Sequence, residues 1–273
     1  MNITKKIAKF IRLFRLAMNR ASYIRSKSAV WFAMTIFVPG LICMYWIVAI
    51  RENPGLERTM STSFIVSYYL TSVMFASLLI SHVKDHVSIS DIQQGNLSQY
   101  LLRPFSYYFY YMLFEEVPYR ILQGSFGLVV IIAIANIFPN ILKYEFSPFA
   151  IVATLISMAL GFLICFTIEM ALGLLAFWFY DTRLIFTTYE VMLILLGGIN
   201  MPISLFPESI KLLAFATPFP SLVYIPTMIM IGEIKNIDIY MWLLYQSFWL
   251  VVAIFVFRFA WSNGIKKFGA SGI

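Results

Sequence analysis

Few residues in this chain could do chemistry, and most of those lie inside or beside apolar runs. Glu169 stands between Ile168 and Met170 in a long uncharged stretch. A carboxylate at membrane depth is a functional candidate, able to carry a proton or bind a cationic substrate. It could equally be a structural acid, paired with Arg183 or placed near the cytoplasmic end of its helix. His82 and His86 are four apart, which puts both on one helical face, but no third ligand is near and they read as surface histidines. Glu116 and Arg120 are i,i+4 partners beside Glu115, so a local ion pair is expected. Cys43 and Cys165 lie in apolar runs without CxxC spacing and read as small buried hydrophobes. There is no GxxxxGK[ST], HExxH or GxSxG motif and no acid pair with a convincing base, so the chain is expected to be no enzyme and to bind no metal.

The elements that position these residues follow from composition. Of 273 residues, 61% are hydrophobic and 12% charged. Soluble domains carry roughly 25% charged residues, and disorder needs many charges and few apolar groups. An integral membrane protein remains. Seven stretches lack Asp, Glu, Lys and Arg: 28–50, 59–83, 121–142, 146–168, 191–207, 212–232 and 239–257. They exceed barrel-strand length and do not alternate, so the class is all-α. Pro218, Pro220 and Pro226 break the sixth stretch, and Gly197–Gly198, Pro202 and Pro207 close the fifth. The expectation is one membrane domain over 1–273. It has six spans at about 29–50, 62–82, 117–138, 148–170, 187–201 and 239–261, with 202–232 re-entrant or interfacial.

Charge sets the orientation. Of the 20 basic residues, eight fall within positions 1–28. With six spans, Lys84, Arg103, Arg120, Arg183, Arg258, Lys266 and Lys267 share their side, making fifteen. Arg51, Arg58, Lys143, Lys211 and Lys235 make five on the other. The positive-inside rule then puts both termini in the cytoplasm, with the protein in the cell (inner) membrane. This asymmetry explains the net charge of +7 without nucleic acid, and a removable signal peptide is not expected.

Two polar segments carry information. Residues 3–21 form an amphipathic helix, with Ile3, Ile7, Phe10, Phe14, Ala17, Met18 and Ala21 on one stripe. It is an interfacial anchor, an element touching a cytoplasmic partner, or both. In the loop 83–107, residues 85–94 predict a short helix with Gly95 as its left-handed stop. A second turn carries Leu97, Tyr100, Leu101 and Leu102 before Pro104. Apolar side chains on so short a helix need something to bury them. The following FSYYFYYMLF reads as an interfacial aromatic belt.

The loop IQQGNLSQYLLRPFSYYFYYMLFEEVP resembles the segment after the second span of ABC type-two exporter permeases, with Gly95, Leu97, Leu101, Leu102, Pro104 and Ser106 fitting its pattern. The later LGGINMPISLFPESIKLLAFATPFPSLVYIPTMIMIG resembles that family's break after span five, through Gly198, Pro202, Pro207 and Pro218. The resemblance covers essentially the whole chain; Gln93–Gln94 stand where the family often has a Glu before the loop glycine. It implies a subunit of an ATP-driven exporter that pairs with a second permease, the same or homologous. Each permease would bind a separate cytoplasmic ATPase, which carries the ATP and magnesium; no cofactor is expected in this chain. The implied coupling residues are Ile92, Gly95, Leu97, Tyr100, Leu101 and Pro104. The implied substrate path is Phe64, Tyr68, Thr71 and Phe75 with Met192, Leu195, Leu196 and Asn200. Their aromatic, Met-rich character suits an amphiphilic, lipid-like or peptide substrate, although about half would pack between helices by the usual odds for apolar stripes. A gradient-driven carrier using Glu169, and a non-transport scaffold or membrane enzyme, are the alternatives.

Overall fold

A computed structural model describes residues 3–23, 37, 40–49, 52, 61–103, 105–137, 142–234 and 236–269. Among them every regular element is helical. Helix α1 (Ile3–Tyr23) is the amphipathic segment. It packs against the start of the third long helix, burying Ala17 and Ala21. Arg20 donates to Glu115 there at 2.9 Å. Helix α2 is Gly40–Ala49; the rest of the expected first span lies outside the described residues.

Helix α3 (Thr62–Leu79) starts at Ser61, whose Oγ accepts from the Phe64 amide at 3.1 Å and caps the first turn. Most of its faces are buried, the pattern of a helix inside a bundle. The chain breaks at 80–82 and resumes as α4 (residues 83–93), of which His86–Gln93 is wound as π-helix. After Gly95 comes the short α5 (Leu97–Leu101). Helix α6 runs Tyr107–Ile137, with a second π-wound stretch at Tyr111–Glu116. The aromatic run is thus the first turns of this long helix. It is only partly a belt, because Tyr107, Tyr111 and Phe114 are buried in the molecule.

Helix α7 (Pro148–Gly173) has Pro148 in its first turn, where no amide partner is needed, and Ser147 as its cap. Helix α8 is Arg183–Leu196. It begins earlier and ends earlier than 187–201, because Gly197 and the left-handed Gly198 (φ 75°) stop it. Its 14 residues span about 21 Å, short of a hydrocarbon core of about 30 Å. The sixth apolar stretch is divided between α9 (Glu208–Phe215) and α10 (Tyr224–Met230), with Pro218 and Pro220 in the gap. Pro226 is tolerated within the first turn of α10. Helix α11 (Asn236–Gly264) closes the bundle along α7.

Among the described residues four helices are long and apolar enough to cross a membrane: Thr62–Gln93, Tyr107–Ile137, Pro148–Phe177 and Ile237–Lys267. The broken stretch is held by side chains that cap its freed carbonyls. Tyr68 donates to Gly198 O, Tyr69 to Asn200 O at 2.7 Å and Tyr245 to Thr217 O. Gln246 donates to Ser221 O at 2.8 Å. This satisfies the condition for irregular backbone among spanning helices, that its polar groups find partners within the protein.

Candidate functional site

At the other end of the bundle, α4 and α5 form a plate fixed beneath the long helices. Asp91 is its pin. One carboxylate oxygen accepts from Tyr107 at 2.5 Å and from Tyr111 at 2.6 Å, and the acid is fully buried. The Tyr111 hydroxyl also meets His86 Nδ1 at 2.6 Å. Tyr107 and Tyr111 lie one turn apart, so both phenols reach the same point. The two π-wound stretches meet at this network, where local underwinding re-aims side chains. Sequence reading missed Asp91; the signal was an acid on an otherwise apolar helix face with a YxxxY pair downstream.

A second set of contacts ties the plate to α7 and α8. Ser88 and Thr182 hydroxyls are 3.0 Å apart, and Gln93 Nε2 donates to Tyr180 O at 2.7 Å. Lys84, fully buried, places Nζ 2.9 Å from Glu190 Oε1 on α8 and 3.6 Å from Glu169 on α7. Asp85 lies 3.9 Å away, more exposed. Glu169 is therefore paired with Lys84 rather than Arg183, whose guanidinium is bonded to Asp181 at 2.8 Å. A buried acid beside a buried cation is held by that cation, and removing one partner would strand the other. Gly173 allows the close approach: a Cβ there would meet Val87 at 2.7 Å. Glu116 and Arg120 form the expected i,i+4 pair, at 3.0 Å.

The anticipated coupling residues divide. Gly95 has φ 78°, the left-handed region a branched residue resists. Leu97 is 0% exposed, packed in a cluster with Val87, Tyr107, Tyr111, Phe166 and Met170. It cannot present itself to a partner, because the plate is not too short to be buried: it borrows the ends of α6, α7 and α11 as its core. Ile92 and Tyr100 are half-buried against the same cluster. Leu101 is 47% and Leu102 87% exposed. Pro104 lies outside the described residues. His82 and His86 join no metal-holding cluster among the described residues.

The anticipated path residues divide as well. Tyr68, Thr71, Phe75 and Leu196 are buried in helix packing: Tyr68 against Gly198, Thr71 against the Tyr144 hydroxyl at 3.2 Å, and Phe75 with Tyr189 and Leu193. Phe64 stacks on Tyr68 at 5.9 Å, half-buried. Met192, Leu195 and Asn200 face outward. Phe75 of α3 shares a buried cluster with Tyr189 and Leu193 of α8, while Met192 and Leu195 lie on the exposed face of α8.

The family described as ABC-2 family transporter protein matches residues 36–272. The chain belongs to the ABC-2 transporter family. It is a multi-pass membrane protein, and the family assignment makes it a permease component of an ABC transporter. Membrane subunits of the ABC-2 family are generally non-enzymatic and generally work with ATPase partners. No curated protein matches the chain.

Proposed function

We propose that this ABC-2 chain is the permease subunit of an ATP-driven exporter for an amphiphilic, lipid-like or peptide substrate. A cytoplasmic ATPase, carrying ATP and magnesium, docks on the α4–α5 plate, and a second permease, the same or homologous, completes the route. The observation that carries this reading is the two-sidedness of the plate. Its inner side is bonded to α6, α7 and α8 through Asp91, Ser88 and Lys84, while Leu101 and Leu102 project away from the chain. A plate rigidly joined to the long helices and apolar on its free side can transmit a partner's movement into them. The outward face of α8, with Met192 and Leu195, and Asn200 just beyond its end form the surface that a second permease would convert into a route.

Burying one leucine is worth about 1.5–3 kcal/mol. Leu101→Asp with Leu102→Asp is therefore expected to release the ATPase and stop transport while leaving a folded, inserted subunit. Copurification stoichiometry and transport in vesicles read this. Retention of the ATPase with full transport would remove the plate as the coupling element. Gly95→Val, strained at φ 78°, is expected to keep the complex and partly uncouple hydrolysis from transport.

A further inference from the structure

Beside the plate, and sharing Tyr100 and Leu101 with it, lies a recess. A cleft of about 490 Å³ opens between the start of α6 and the last turns of α11. Phe105, Tyr108 and Phe109 form one wall and Phe257 and Trp261 the other. Arg258 stands at its rim, exposed. It is the one charged residue among those lining the cleft, and there is no acid among them. Among the described residues Arg258 has no ion-pair or hydrogen-bond partner, unlike Arg20, Arg120 and Arg183, each of which is bonded to an acid. The walls are stiff: Trp261 stacks on Tyr107 at 5.2 Å, and Tyr107 is itself held by Asp91.

We infer that this cleft is a binding site for an anionic phospholipid, one acyl chain lying between the two aromatic walls and the phosphate on Arg258. The volume falls within the range of small-ligand sites. The walls are mainly aromatic and suit an alkyl chain, and the single unpaired cation offers the complementary charge to a headgroup. Lys266 and Lys267 follow within the next turns of the chain, so this end of α11 approaches the polar boundary where phosphates lie. Leu101 lines the cleft as well as the plate's free side, whereas Leu102, 87% exposed, lies outside it; an ATPase surface needs a protruding patch such as Leu102 supplies, not a recess with an arginine at its mouth. The inference needs only the membrane placement of the chain and stands or falls apart from the ATPase reading.

The test uses the full chain purified in detergent and titrated with phosphatidylglycerol or phosphatidylcholine of the same acyl chains, followed by native mass spectrometry. A cation near a headgroup is worth about a fivefold preference for the anionic lipid. That preference is expected in the wild type, absent in Arg258→Gln and kept in Arg258→Lys, which also controls for folding. Brominated acyl chains locate the site: the phosphatidylglycerol-specific part of tryptophan quenching should vanish in Trp261→Phe. Equal binding of the two lipids, or a preference untouched by Arg258→Gln, overturns the inference. So does quenching unchanged in Trp261→Phe. If Trp261 fluorescence responds to added ATPase subunit and to neither lipid, the cleft is a protein-docking groove and the lipid site is wrong.

Discussion

Asp91 and Gln246 are both buried polar side chains in the bundle, yet they bond to different things. Asp91, at the plate, gathers hydroxyl groups from another helix. Gln246, on α11, donates to the backbone carbonyl of Ser221 in the broken stretch at 2.8 Å and to that of Ser157 at 3.2 Å. The pattern extends around each. Near the plate, Ser88–Thr182 and Lys84–Glu190 join side chain to side chain between elements, with Gln93 to Tyr180 O the exception. In the broken stretch, Tyr68, Tyr69 and Tyr245 donate to carbonyls. The two regions solve different problems. Chain that leaves the helical path among spanning helices must have its own backbone groups satisfied, or each costs several kcal/mol. A plate that must move with neighbouring helices needs links between elements that are already internally satisfied. The first arrangement fixes a shape; the second couples separate bodies.

That contrast can be broken by substitution. Gln246→Leu removes the donor to Ser221 O and is expected to cost about 1–3 kcal/mol of stability, seen as a lowered unfolding temperature in detergent, with the ATPase still docked. Asp91→Asn keeps an acceptor for the two phenols but loses the charge-assisted character of the bonds. Its stability loss should be smaller, about 1 kcal/mol, while transport per ATP hydrolysed falls. If Gln246→Leu proves the milder for stability, or Asp91→Asn leaves coupling intact, the division between the two regions fails. The smallest effect belongs to the exposed pair at the start of α8. Hydrogen bonds from Arg183 hold the Asp181 carboxyl down to about 2 from an ordinary 3.8. A depressed acid contributes in full above its ordinary value and is lost as pH falls through the depressed one. The pair should therefore be intact at neutral pH and disappear only between about pH 4 and 2. Titration of the Asp181 carboxyl by NMR, at low and high salt, reads this, and a midpoint near 4 would dissolve the pair.

Much of this arrangement was legible one residue at a time. Gly95 announced a left-handed stop because only glycine enters that region without strain. Pro218 and Pro220 announced the break because they lack an amide to donate. The Glu116–Arg120 pair was set by helical spacing alone. Other features were not legible. Leu97 and Leu101 are four apart on one short helix and looked equivalent; one is buried and the other half exposed because α6 and α11 cover only one end of the plate. Arg183 was the basic partner considered for Glu169, but Lys84, 85 positions away in sequence, is the one that meets it.

Composition and apolar length by themselves determined that this is a helical membrane protein with a broken segment near its fifth and sixth apolar runs, because those properties are sums over local residues and the bilayer imposes them on any chain. Tertiary structure alone decided which polar groups meet. Tyr68 caps a carbonyl 130 positions away, Ser88 meets a hydroxyl 94 positions away, and Lys84 finds its acids on two other helices. Such pairings depend on which helices are neighbours and how they are rotated, and no local pattern encodes either.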